Sequence, residues 1–244
     1  MMDYNIQSVI KLLLFNIFVH LFFLKSISTF MNNQMGTPNV VRISKQQLVL
    51  ISGCTGTGKS TFGMEVAINR GILKCISTDT IRQVHRAYDN HPAVQRSSYS
   101  GSGDPIVQWK ETCDVLQHSI DNIVIDALSR GTSLVLEGVH IIPSNYLLDQ
   151  WVKAGGVAVG CVLCIPDAET HRQVIFKRGE LTTKGAEDQL KKFDRIRAIQ
   201  DEMVRLGVQN KWLLIKQKPC IDPKPMELLN DEMVSTWVQK EFRY

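Results

Sequence analysis

Little in this chain points to nucleic acid, a membrane span or a disulfide framework. Lys and Arg number 28 against 24 Asp and Glu, a formal charge of +4 over 244 residues. That excess is too small to argue for a polyanionic partner. No block of like charge occurs, and no interleaving of aromatic with basic residues suggests an RNA surface. The six cysteines (Cys54, Cys75, Cys113, Cys161, Cys164 and Cys220) are scattered and mostly sit in apolar runs. Cys161 and Cys164 have C-x-x-C spacing, but in a buried strand alternation turns the two thiols to opposite faces. A core role and a reducing compartment are therefore expected. The length suffices for one well-buried α/β domain.

Residues 1–40 are a different kind of sequence. Val9 to Leu24 is almost wholly apolar, broken by Lys11, Asn16 and His20 and flanked by Lys25. A membrane span needs about 20 apolar residues, so a signal-peptide core or other targeting leader fits better. An upstream extension, with Met31 or Met35 as the start, is the alternative reading. The expected organisation is a leader over 1–40, absent from the mature protein, and one domain over 41–244. That domain is expected to carry no stable membrane span. Its location would be the cytoplasm, or a plastid or mitochondrion if the leader is a targeting signal.

What the chain does have is a complete phosphate-binding loop. Residues Gly53-Cys54-Thr55-Gly56-Thr57-Gly58-Lys59-Ser60 match G-x-x-x-x-G-K-S/T. The apolar run Leu48-Val49-Leu50-Ile51 precedes it, and a helical pattern from Thr61 to Asn69 follows. That strand–loop–helix setting separates the motif from a chance glycine-rich turn. The glycines let backbone N–H groups close on phosphate oxygens, and the helix adds the positive end of its dipole. Lys59 is placed to reach the β- and γ-phosphates and the Ser60 hydroxyl to hold Mg²⁺. Gly53 through Thr61 are thus the expected nucleotide-binding residues. A nucleoside triphosphate, ATP with Mg²⁺, is the expected cofactor.

Beyond the loop, strand and helix patterns alternate. Apolar runs at 48–52, 74–77, 133–136, 157–165 and 212–216 predict five short buried strands. Helices are predicted at 58–69, 79–88, 105–129, 144–153, 166–178, 188–206 and 225–240, with Pro105 in a first turn and Gly131 at a stop. This alternation implies a mostly parallel sheet covered on both faces. Ligands in such sheets sit beyond the carboxyl ends of the strands. There the sequence places Asp79 after the second strand and Glu137 after the third. Asp79 could cap its helix, orient an acceptor hydroxyl, or do both. Glu137, directly after Leu-Val-Leu, needs a partner, which a metal or substrate would supply.

Cations are spread along the same edge. Arg82 and Arg86 lie one turn apart on the helix opened by Asp79, so both can face an anionic substrate. Arg96 precedes Ser97-Ser98-Tyr99-Ser100-Gly101-Ser102-Gly103, a hydroxyl-rich stretch suited to a moving lid. His171, Arg172, Lys177 and Arg178 lead into a polar connection, Gly179 to Glu187. In small kinases such a connection carries the lid arginine, and Arg178 is its candidate here. Arg172 and Lys177 read better as surface charges, and Arg195 and Arg197 can be structural. Phe193, Ile196, Ile199, Met203 and Leu206 predict a core-facing stripe.

The P-loop, Ile76-Ser77-Thr78-Asp79-Thr80-Ile81-Arg82, Ser97-Ser98-Tyr99, Glu137-Gly138-Val139-His140 and Ile196-Arg197-Ala198-Ile199-Gln200-Asp201 together resemble the 2-phosphoglycerate kinase family. The resemblance runs from about Gln46 to Trp212. It implies transfer of phosphate from ATP to the hydroxyl of 2-phosphoglycerate, giving 2,3-bisphosphoglycerate and ADP. Where some members carry an N-terminal regulatory module, this sequence has its apolar leader. The resulting expectation is an α/β P-loop kinase fold, a three-layer sandwich whose five-stranded parallel sheet has order 2-3-1-4-5. Lys59, Asp79 and Arg178 would be catalytic, Ser60 and Glu137 would hold the metal, and Asp79, Arg82, Arg86, Arg96, Glu137 and His140 would meet a small phosphorylated acid. Two other classes remain open: a kinase for another acceptor (a sugar acid, a nucleotide sugar or a polynucleotide end), or a non-catalytic ATP-binding regulator. Nucleic acid is not expected, for want of a basic groove.

Overall fold

The computed structural model describes residues 45–181, 186–218 and 224–241. The apolar leader and Cys220 lie outside the described residues. Five apolar runs pair into one parallel sheet: β1 (Gln47–Gly53), β2 (Lys74–Ser77), β3 (Leu134–Gly138), β4 (Val157–Cys164) and β5 (Leu213–Lys216). The strand order is β2-β3-β1-β4-β5, as expected from sequence.

β1 shows why the runs are continuous rather than alternating. Leu48 and Leu50 point to one side, where they join the helices α4 (Pro105–Ser129), α5 (Tyr146–Lys153) and α8 (Phe193–Gln209). Val49 and Ile51 point to the other and meet α1 (Lys59–Arg70) and α9 (Lys224–Glu241). A strand buried on both faces must be apolar at every position. The result is a three-layer α/β sandwich. In α8, Phe193, Ile196, Ile199 and Met203 are buried and Leu206 packs at their margin. Each such side chain contributes roughly 2 kcal/mol by leaving water.

The remaining helices are α2 (Thr78–Tyr88), α3 (Pro92–Gln95), α6 (Ala168–Leu181) and α7 (Ala186–Leu190). α3 was not foreseen, because four residues are too few to show a helical period. The helix predicted over 188–206 is divided into α7 and α8. The ends of α4 follow the local signals: Asp104 accepts hydrogen bonds from the Ile106 and Val107 N–H groups, Pro105 fills the first turn, and Gly131 turns left-handed after the last.

Register then sets the functional edge. Ser77 lies beside Glu137, and Glu137 beside Ile51, so the ends of β2, β3 and β1 stand in one row. The P-loop leaves β1, and the two acids come from its neighbours on one side. The five described cysteines are free thiols, and Cys161 and Cys164 are both buried in β4. Among the described residues no helix is long and apolar enough to cross a membrane.

Candidate functional site

The loop Gly53–Gly58 turns from β1 into α1 with Lys59 as the first helical residue. Thr57 closes it by donating its hydroxyl to the Cys54 carbonyl at 2.9 Å. The Cys54 side chain turns inward, where burial pushes its thiol up to about 12 and Sγ lies 3.5 Å from the Ile196 carbonyl. Cys54 thus lends the loop its backbone and the core its side chain. Gly56 has φ 84°, and a Cβ there would come within 2.9 Å of the Ile175 side chain on α6. Both the turn and the close approach require glycine.

The peptide of Thr55 is held from two sides. Its N–H donates to the Tyr99 hydroxyl at 2.9 Å, and its carbonyl lies 2.9 Å from His171 Nε2. A carbonyl only accepts, so His171 carries its proton on Nε2. Burial depresses the His171 pKa, which keeps the ring neutral. Neither brace was assigned from sequence. The sequence marks Tyr99 only as part of a Ser-Ser-Tyr segment and His171 only as part of the approach to a lid. Nothing in their spacing reports a contact across 44 or 116 residues.

Glu137 sits on the opposite side of the loop mouth. It is 3% exposed, and its Oε1 accepts from the Ser60 hydroxyl at 3.0 Å. Its Oε2 is buried with no hydrogen-bond partner. A buried carboxylate oxygen without a donor asks for a cation. The Ser60 hydroxyl and the Glu137 carboxylate are both oxygen donors, the ligand type that suits Mg²⁺. Among the described residues there is no cluster of three or more His, Cys, Asp or Glu, the pattern of an all-protein metal cage. Lys59, at the start of α1, is 7% exposed.

Asp79 lies in the first turn of α2 with its side chain 58% exposed. Asp79 does not cap that helix, contrary to one expectation: Ser77 is the cap, accepting from the Asp79 N–H at 3.3 Å. The carboxylate is thereby left exposed. Its Oδ1 lies 3.7 Å from Nδ1 of His140, which is completely buried. Burial lowers the His140 pKa to about 3, with Asp79 opposing and Arg82, Lys59 and Arg86 adding to the depression. His140 is therefore neutral. It bridges the Thr78 hydroxyl at 3.1 Å and the Ser98 hydroxyl at 2.9 Å instead of presenting a charge to a substrate. Any side chain at Gly138 would overlap the Thr78 hydroxyl, so this approach of α2 to β3 needs glycine.

The expected anion grip is arranged otherwise. Arg82 donates to the Val94 carbonyl at 3.1 Å, to Ser98 Oγ at 3.0 Å and to the Arg96 carbonyl. Arg86 donates to the carbonyls of Val94, Gln95 and Arg96 at 3.0–3.2 Å. Arg96 reaches the Gln108 carbonyl at 2.8 Å and the Glu111 carboxylate at 2.5 Å. The sequence correctly put Arg82 and Arg86 on one helix face, but that face meets α3. A four-residue helix leaves its last carbonyls without internal partners, and cations satisfy them. Burial lowers the Arg82 pKa to about 10, leaving it charged at neutral pH.

The Ser97–Gly103 stretch, read as a moving lid, is pinned here by Arg195. Its guanidinium donates to the Tyr99 and Gly103 carbonyls at 3.0 and 2.7 Å and to Gln108 Oε1 at 2.6 Å. Arg197 holds the Ile165 and Pro166 carbonyls at 2.6 and 3.1 Å. Arg172 stacks on Phe193 with its guanidinium 4.0 Å from the ring centre. Arg178 is exposed near the end of α6, and residues 182–185 of the expected lid lie outside the described residues.

A family model described as an AAA domain matches residues 48–203. The chain belongs to the AAA domain family. The matched stretch takes in the P-loop, both strand-end acids and most of α8. A 2-phosphoglycerate kinase of Methanocaldococcus jannaschii is 30% identical over 168 residues, 64% of this chain and 54% of that protein. The one from Methanopyrus kandleri is 31% identical over 180 residues, 67% of this chain and 54% of its own length. The resemblance to 2-phosphoglycerate kinases read from the motifs is thus borne out. The chain spans about half the length of these curated relatives. A solved shikimate kinase from Acinetobacter baumannii aligns over 82% of this chain and 97% of its own at 12% identity and a TM-score of 0.46, too remote to carry an argument.

Proposed function

We propose that the chain is an ATP-dependent phosphotransferase that phosphorylates 2-phosphoglycerate to 2,3-bisphosphoglycerate. One observation carries the reading: the orphaned Glu137 oxygen beside Ser60, at the mouth of a P-loop, with an exposed carboxylate on the adjacent strand end. The similarity to 2-phosphoglycerate kinases supports the choice of acceptor.

Each residue then has a task. Backbone N–H groups of the loop that the protein does not itself use, together with the Lys59 ammonium, hold the triphosphate and offset charge on the transferring group. Ser60 and Glu137 would hold Mg²⁺, which neutralises phosphate charge when bound. Asp79 orients the acceptor hydroxyl and takes its proton as the new O–P bond forms and the bond to the ADP oxygen breaks. Arg178 is proposed as the cation that closes over the phosphates. Arg82, Arg86 and Arg96 shape the wall of the acceptor side.

A second reading has one observation in its favour. The three arginines expected to grip two anionic groups are occupied with carbonyls and Glu111, which suits an acceptor with fewer charges, such as a sugar acid. Assaying the protein with ATP, Mg²⁺ and a panel of phosphorylated acids and sugar acids separates the two. The first reading expects the highest kcat/KM with 2-phosphoglycerate. Transfer to an unphosphorylated sugar acid and to no phosphorylated one would replace it by the second.

A further inference from the structure

We infer that Ser98 and His140 form a positioning relay that fixes the imidazole tautomer and, through it, the place of Asp79. The inference rests on the proposed role of Asp79 toward the acceptor hydroxyl. Arg82 starts the chain. A guanidinium can only donate, and its Nη1 donates to Ser98 Oγ at 3.0 Å. Ser98 is 6% exposed, so its own hydroxyl hydrogen must find an acceptor inside the protein. The atom within reach is His140 Nε2 at 2.9 Å. Nε2 therefore accepts and bears no proton.

The other ring nitrogen follows. Deep burial keeps His140 neutral. A neutral ring with a bare Nε2 carries its hydrogen on Nδ1. That N–H faces Thr78 Oγ1 at 3.1 Å and Asp79 Oδ1 at 3.7 Å, both in the first turn of α2. The opposite tautomer fails twice. It would turn a lone pair toward the Asp79 carboxylate, and it would leave the Ser98 hydroxyl hydrogen without an acceptor among the described residues. The order Arg82 to Ser98 to His140 to Thr78 and Asp79 is thus directional. It steadies the acid-bearing turn with a neutral donor, so Asp79 is oriented without being neutralised by a fixed cation.

The tautomer can be read directly. Nitrogen-15 NMR of the full chain labelled at histidine, with the His140 signals assigned by their loss in His140→Gln, should show the proton on Nδ1. Ser98→Ala should shift that ring toward the Nε2–H form and lower kcat about tenfold, the effect of one lost hydrogen bond to the acid-bearing turn. KM for ATP should stay as in the parent. Ser98→Thr, which keeps the hydroxyl, should restore both tautomer and kcat. A parent His140 protonated on Nε2 would overturn the relay. A Ser98→Ala protein with parental tautomer and kcat would overturn it as well. A parent with Nδ1–H but no phosphate transfer to any acceptor would instead overturn the phosphotransferase reading and leave the tautomer assignment standing.

Discussion

Glu137 and Lys59 are both nearly buried at the mouth of the P-loop, and Glu137 keeps one oxygen that no protein group satisfies. Such groups are costly in a folded protein unless a ligand completes them. If Lys59 offsets charge on a transferring phosphate, Lys59→Ala should lower kcat by about 10²–10³ while thermal melting shows the fold retained. Arg82 differs, since its fork is already filled. Lysine cannot span the Val94 carbonyl, the Arg96 carbonyl and Ser98 together. Arg82→Lys should cost roughly 2 kcal/mol, about 4–8 °C in Tm for a domain of this size. KM for ATP and acceptor should move alike. A rise confined to the acceptor KM, at unchanged Tm, would return Arg82 to the substrate. The motif residues were legible because the backbone turn and the strand before it dictate their chemistry. The partners of Arg82, Arg86 and Tyr99 were not, because a long side chain chooses its acceptor only after the chain has folded.

Among the elements, the strands read most clearly. Leu48 to Ile51 and Val157 to Cys164 are buried on both faces, so an apolar run and a strand coincide. α3 and the break between α7 and α8 were hidden, since elements of four or five residues carry no periodic signal. With α3 unseen, the Arg82–Arg86 face could only be aimed at a substrate. The long helices α4 and α8 are joined by Glu202, which accepts from Lys110 at 2.8 Å and from Arg205 at 2.6 Å. The Arg205 hydrogen bond leads, and with Lys110 it lowers the Glu202 pKa from 4.5 to about 2. A carboxylate depressed in the native state binds fewer protons there than in the unfolded chain. Its stabilisation is present above pH about 4.5 and is lost as pH falls toward about 2. Urea unfolding at pH 7 and pH 3 should therefore show Glu202→Gln less stable than the parent at pH 7, with a smaller further loss in acid. Equal losses for both proteins would remove Glu202 from the acid response.

For the whole molecule, strand order decides what can meet. With β3 between β2 and β1, the P-loop, Glu137 and Asp79 fall on one edge from three separate parts of the sequence. That convergence, more than any single residue, is what the proposal of phosphate transfer rests on. The most direct measurement is transfer of labelled γ-phosphate from ATP to 2-phosphoglycerate by the full chain. The account predicts labelled 2,3-bisphosphoglycerate that requires Mg²⁺ and falls by orders of magnitude in Glu137→Gln. ATP binding without labelled product from this or any other small acid would contradict it.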